Sequence, residues 1–124
     1  MLEPALLHAL MKRIALTFDN GPTPEVTGAV LAILRARGIK ATFFVVGASL
    51  ADPRGPALLD EIAAEGHWIG THTLTHSTAF GECNEPGCAA REIGEPQWLI
   101  GSRSHAEKLF RPYGNLGLIG ESIC

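Results

Sequence analysis

An α/β fold with a parallel sheet, open or closed as a barrel, is what this sequence predicts. Strand-like and helix-like patterns alternate along its 124 residues with short breaks between them. The helix-like stretches carry start and stop signals, and no repeat or linker divides the chain. Alternation of this kind implies strands in parallel joined by helical crossovers, within one domain.

Residues 13–18 read as a short buried strand. Thr23-Pro24-Glu25 follows as an N-cap, a proline at the first helical position and an acid in the first turn. Val26, Ala29, Val30, Ile33 and Leu34 recur at helical spacing, and Arg35, Arg37 and Gly38 supply last-turn cations and a C′ glycine. Residues 39–46, "IKATFFVV", form a second strand ending at Gly47. A second helix is expected from near Pro56 to Glu65-Gly66, and a third strand at 67–70. A third helix would run from Ala89 to about Ser104 with Ile93 and Leu99 or Ile100 inward. Gly94 and Pro96 strain that reading, because an interior proline costs about 3 kcal/mol unless it marks a kink. Residues 108–111 complete the set as a fourth strand.

With 46% apolar and 19% charged residues the chain can bury a core. A net charge of -3 and a pI near 5.9 give no basic footprint for nucleic acid or an anionic membrane. No run approaches the ~18 apolar residues of a spanning helix. The leading "MLEPALLHAL" has Glu3 and Pro4 where a signal peptide has a basic region, so a cytoplasmic location is expected. Met11-Lys12 just before the first strand is a second candidate start, which leaves secretion open. Cys83, Cys88 and Cys124 make an odd count, which argues against a closed disulfide framework; Cys83 and Cys88 could form a local bridge or half of a zinc site, but free thiols in a loop are the expectation. His8, His67 and His105 read as surface or structural histidines, and Trp68 and Trp98 as core or packing residues.

Three polar clusters fall just after strands: Asp19-Asn20 after the first, His72-Thr-Leu-Thr-His76 after the third, and Arg111-Pro112-Tyr113-Gly114 after the fourth. In parallel α/β folds the carboxyl ends of strands share one rim, where ligands and catalytic groups gather. Alone, Asp-Asn-Gly-Pro is turn chemistry, and histidines at i,i+4 more often form a polar helix face than a metal site. Jointly they describe a centre. Two neutral imidazoles and one oxygen ligand leave an open position on Zn²⁺ or a similar ion. A nearby unligated carboxylate takes a proton from water bound there, and an arginine orients that carboxylate. Backbone N–H groups after Pro112 would stabilise a tetrahedral oxyanion. This is equipment for hydrolysing an amide or ester.

"LTFDNGPTPEVT", "THTLTH" and "FRPYG", in that order, resemble three motifs of the polysaccharide deacetylases of carbohydrate esterase family 4, which share the NodB homology domain. "GIKATFFVVG" and "EGHWIGTHT" resemble the framework between them, so the likeness covers about 13–114. The resemblance implies a distorted (β/α) barrel of the NodB type, incomplete here at about its first four βα units. Residues 1–12 would be an N-terminal extension and 13–124 a partial domain whose later strands, and the motif supplying a general acid, are missing. It also implies a divalent metal, commonly zinc with cobalt, nickel or manganese as alternatives, and an acetylated carbohydrate as substrate: chitin, chitooligosaccharide or peptidoglycan. Asp19 would be the general base, partnered by Arg111. Asn20, His72 and His76 would be the metal ligands, and the Tyr113 backbone would contribute to the oxyanion site.

Asn20 stands where most family members have aspartate. An amide oxygen still coordinates but is a neutral, weaker donor, so a weakened yet viable site is expected. Asn20-Gly21 is also a deamidation-prone pair. An incomplete barrel would expose strand edges and favour self-association. Two other functions stay open on these residues: a non-catalytic or remnant carbohydrate-binding domain, and a small-molecule amidohydrolase on the same scaffold.

Overall fold

The computed structural model of the protein describes residues 12–77, 79 and 83–114; His8, Cys124 and nearly all of the leading segment lie outside them. β1 (Thr17–Asp19), α1 (Val26–Arg37), β2 (Thr42–Val45), α2 (Gly55–Ala64) and β3 (Trp68–Thr71) follow in order. The strands form one parallel sheet in the order β1-β2-β3. The α/β expectation therefore holds, and among the described residues the sheet is open rather than a closed barrel. Its register pairs Asp19 with Phe44 and Phe44 with Gly70, which brings the three carboxyl ends to one rim.

β1 departs from the expected buried strand. Only three residues join the ladder, and Ile14 is 87% exposed. β1 lies at the edge of the sheet, so the apolar run before it has no strand on its outer side among the described residues. β2 is also shorter than its apolar pattern and β3 is shifted one residue on from the expected 67–70, but both are buried along most of their length. The core gathers Leu31 and Leu34 from α1, Phe43 and Val45 from β2, Leu59 and Ile62 from α2, Ile69 from β3 and Ile100. Each large aliphatic side chain buried there contributes about 1.5–3 kcal/mol.

α1 begins later than the Thr-Pro-Glu signal suggested. Glu25 has a φ of 67°, which cannot continue a helix, and helical geometry starts at Val26. Thr23 still serves the start of the helix: its N–H donates to Thr27 Oγ1 at 2.8 Å and its carbonyl accepts from Thr27 N. The buried stripe is Thr27, Leu31 and Leu34, so the expected stripe is rotated and Val26 and Ile33 face outward. The helix ends as read, with Arg35 and Arg37 in the last turn and Gly38 left-handed at φ 63°. α2 carries Pro56 at its start and buries Leu59 and Ile62.

The expected third helix is interrupted. Residues Ala90–Gly94 form one widened π-type turn, α3 (Glu95–Ile100) follows, and a 3₁₀ turn over Gly101–Arg103 ends it. Pro96 has no N–H for the carbonyl four residues back and its ring would collide there. The wide turn relieves that conflict directly before the proline. Ile100 and Pro96 are fully buried, while Ile93 is half-buried and Leu99 is 37% exposed.

The expected fourth strand is reduced to a single parallel bridge between Thr71 and Phe110. A turn closed by Lys108 N–H donating to the His105 carbonyl, with Lys108 at φ 52°, leaves too little extended chain for more. Trp68 and Trp98 are not core residues; they are 56% and 81% exposed, and Trp68 packs beside His105 with centroids 4.6 Å apart. Cys83 and Cys88 are not free thiols but a disulfide. The intervening turn, closed by Cys88 N–H donating to the Glu85 carbonyl, brings their Cα atoms to 5.8 Å, within bridging range. His67 is structural, as expected: buried, with Nδ1 accepting from Ala41 N at 3.1 Å.

Candidate active site

β1 ends at Asp19, and the chain after β3 and after the Phe110 bridge returns to the same rim. The Arg111 N–H donates to the Thr71 carbonyl and the Thr71 N–H to the Leu109 carbonyl. Arg111 is thereby set against β3 with its side chain crossing toward β1. One guanidinium nitrogen donates to Asp19 Oδ1 at 2.6 Å and to Thr17 Oγ1 at 2.9 Å. The guanidinium also lies 4.2 Å from the centroid of the Phe44 ring. This charge-assisted pair joins groups 92 residues apart and orients the carboxylate.

Asp19 Oδ2, the oxygen away from the arginine bond, stands 4.0 Å from His72 Nε2. His72 is buried, and its Nδ1 lies 2.7 Å from the Arg111 carbonyl. A carbonyl only accepts, so Nδ1 carries the proton and Nε2 presents its lone pair. Such a backbone bond to the far nitrogen is how proteins orient a ligating imidazole. His76 sits 5.0 Å from His72 between ring centroids, and the tilted Tyr113 ring lies 4.1 Å from it.

The two histidines do not meet through helical i,i+4 spacing. Thr73 and His76 have left-handed φ values of 68° and 55°, and the segment is a bent loop. Its shape is imposed by hydrogen bonds: Gly47 N–H to the Thr73 carbonyl, Ala48 N–H to the Leu74 carbonyl, and His76 N–H to Thr73 Oγ1.

The contacts thus unite Asp19, His72, His76, Arg111 and Tyr113. Asn20 follows Asp19 directly after β1, exposed and left-handed at φ 75°, with no hydrogen bond to its amide among the described residues. The described residues contain no cluster of three His, Cys, Asp or Glu side chains that could hold a metal. Asn20, the third ligand that the resemblance implies, would supply an amide oxygen in place of such a side chain. Two imidazoles with one tautomer fixed, plus an untied amide oxygen, suit a divalent ion of the zinc type. His105 lies elsewhere, packed on Trp68 at the opening of β3.

A sequence model described as "Polysaccharide deacetylase" matches residues 9–116. The chain belongs to the polysaccharide deacetylase family. A peptidoglycan-N-acetylglucosamine deacetylase of Bacillus cereus is 43% identical over 112 residues, 90% of this chain and 50% of that protein. The solved structure of the peptidoglycan deacetylase PdaC from Bacillus subtilis superposes with a TM-score of 0.75 at 30% identity, covering 92% of this chain and 54% of PdaC. A family 4 acetyl xylan esterase from Clostridium thermocellum, solved with a cobalt ion, gives a TM-score of 0.71 at 35% identity over 82% of this chain and 49% of the esterase. This polysaccharide deacetylase domain spans half or less of the length of the curated relatives it matches.

Thr17 and Phe44, which hold the Arg111 guanidinium, and Thr73, which accepts from the His76 N–H, join the cluster although the sequence reading does not single them out. Thr73 lies inside the histidine motif, and a hydroxyl beside a turn is a usable signal. The other two act across the sheet, where sequence spacing carries no information.

Proposed function

We propose that this domain is a metal-dependent deacetylase that removes acetyl groups from an N-acetylated polysaccharide, with peptidoglycan N-acetylglucosamine as the favoured substrate class. The observation that carries the reading is Asp19, held by Arg111 at Oδ1 and presenting Oδ2 beside the Nε2 of His72. A carboxylate next to two imidazoles, but not counted among the ligands, suits a base acting on water at a metal. The names of the Bacillus relatives support the substrate class, and the cobalt ion of the esterase structure supports the metal.

His72 and His76 through their imidazole nitrogens, and Asn20 through its amide oxygen, would hold the ion. When bound, a divalent ion supplies Lewis acidity, which makes water a better acid and polarises an acyl carbonyl. Asp19 takes the water proton on Oδ2 while Arg111 keeps the carboxylate from rotating away. The Tyr113 N–H, which has no intramolecular partner among the described residues, is available to the oxyanion that develops on the acetyl carbonyl. The Tyr113 ring fixes one face of His76.

Acetate release from N-acetylated glycan, assayed with added Zn²⁺ or Co²⁺, tests the reading. Asp19→Asn is expected to lower turnover about 10²–10⁴-fold, the range of a lost general base, while metal binding persists. Acetate release unchanged in Asp19→Asn would remove Asp19 from this role. Failure of the wild type to bind any of zinc, cobalt, nickel or manganese would overturn the metal-dependent mechanism.

A further inference from the structure

Glu92 is a buried carboxylate with no place in the chemistry above. It lies in the widened turn before α3 and is only 4% exposed. Its side chain reaches the loop between the two histidines. Oε2 accepts from Leu74 N at 3.0 Å and from Thr75 N at 3.1 Å, and the Thr75 hydroxyl lies 3.1 and 3.2 Å from the two carboxylate oxygens. Ser77 Oγ lies 2.7 Å from the same hydroxyl. With the Thr75 proton committed to the carboxylate, Ser77 donates to Thr75. Arg91 Nε, 3.7 Å from Oε1, is the charged neighbour.

We infer that Glu92 is the positioning residue for the His72–His76 pair, setting the bend of their loop and so the affinity of the site for a divalent cation. The inference rests on the reading of these histidines as ligands. Residues 73 and 76 both occupy left-handed backbone that threonine and histidine seldom adopt, and such geometry persists only where surroundings over-determine it. Glu92 supplies that determination at the two peptide groups lying between the strained residues. Gly47 and Ala48 hold only the carbonyls of Thr73 and Leu74. Without Glu92 the N–H groups of Leu74 and Thr75 lose their acceptor, and the loop gains reason to turn them toward water. His76 then moves with it, because the His76 N–H depends on Thr73 Oγ1 at the beginning of the same bend.

The widened turn gives this role a mechanical origin. An extra residue per turn, placed just before Pro96, redirects the side chains of that segment relative to α3. Glu92 is the buried residue of the turn and therefore points inward, at the loop, instead of outward like its neighbours Arg91 and Glu95.

Glu92→Ala and Glu92→Gln separate positioning from a general structural role. A glutamine oxygen can still accept both amides while its NH₂ group donates to Thr75 Oγ1, so it preserves the bend. Amide exchange at Leu74 and Thr75 and the His72 and His76 ring signals are measured in the metal-free protein, and Zn²⁺ affinity is measured by competition with a chromophoric chelator. Expected in Glu92→Ala are loss of protection at both amides, displaced ring signals and at least tenfold weaker Zn²⁺ binding, the scale of losses for outer partners of metal ligands. Glu92→Gln should restore all three to near the wild-type values. Wild-type protection at both amides in a folded Glu92→Ala protein overturns the inference, as does unchanged Zn²⁺ affinity once protection is lost. If the wild type takes up no Zn²⁺, the proposed metal mechanism fails. The ring signals of the metal-free protein then decide on Glu92: displacement in alanine with rescue by glutamine supports it, and unmoved signals overturn it.

Discussion

Gly70→Ala should damage the protein in a way that can be worked out from its surroundings. A methyl group there would lie 2.6 Å from the Leu109 carbonyl oxygen and 2.9 Å from both Leu109 Cβ and a Phe44 ring carbon. The nearest atom is backbone, so no rotamer change relieves the contact. The carbonyl that must retreat is also the acceptor for the buried Thr71 N–H. Overpacking costs about 1–3 kcal/mol, and stranding a buried donor about 1–3 kcal/mol. Partial relaxation of each puts the combined loss at about 2–4 kcal/mol, a large share of a typical total of 5–15 kcal/mol. The displaced segment carries Arg111, so its pairing with Asp19 should weaken too. Urea unfolding, followed by the fluorescence of Trp68 and Trp98, measures the loss as a lower midpoint at similar slope. Gly28→Ala is the control, since a Cβ at that point in α1 meets nothing within 4 Å. It should stabilise by about 0.5–1 kcal/mol through helix propensity. A Gly70→Ala midpoint equal to the wild type would refute the argument from close approach.

Arg111→Lys keeps the charge but cannot hold Asp19, Thr17 and the Phe44 face at once. Because the pair is over a third exposed, only the low end of a charged hydrogen bond, about 1.5 kcal/mol, applies. Turnover should fall about tenfold with KM little changed, and an equal loss in both parameters would contradict an orienting role. Asn20→Asp should tighten Zn²⁺ binding, because a carboxylate replaces a neutral donor; calorimetry showing equal or weaker binding would take position 20 out of the ligand set. Peptide mass analysis should accompany it, to show that the wild-type residue is intact asparagine. Burial first, and Lys40 second, push the His67 imidazole below its ordinary value, against a smaller opposing pull from Glu65. The unfolded chain then takes up that proton first, so the His67 contribution is complete above about pH 6.5 and is lost as pH falls toward the lower folded value. A ring titration of His67 by NMR at or above pH 6.5 would reverse that sign.

Much of the site was legible in the sequence because its parts sit at strand ends, and strand ends in a parallel sheet share one rim. Asp19, His72 and Arg111 needed only the order of the strands to be brought together. Their geometry was less accessible. The histidines suggested a helical face, whereas two left-handed residues bend the chain and a carboxylate from the following helical segment holds it. Nothing in the spacing of "THTLTH" marks Glu92 as its partner, since that contact exists only in three dimensions. The fold shows the same division. Gly38 ended α1 where a left-handed glycine must, but Val26 and Ile33 joined the apparent apolar stripe and face outward. Periodicity reveals that a helix is amphipathic more readily than which flank the sheet covers. The Cys83–Cys88 bridge ranks below free thiols on an odd cysteine count, while the deciding fact is the turn between them.

The proposed base belongs to the shortest and least covered strand of the sheet. Among the described residues only three hold β1 in the ladder, at the edge of the sheet, which makes it the natural place for opening to begin. The histidines, by contrast, belong to a single short loop fastened to β2 and to the turn before α3. Fraying of β1 would therefore carry Asp19 away from Arg111 and take Asn20 out of the proposed ligand set, while leaving the imidazole pair assembled. Catalytic competence would be lost, whereas cation binding would only weaken. A preparation that still takes up metal on two imidazoles could already have lost its proton acceptor, so ion uptake would overstate the active fraction.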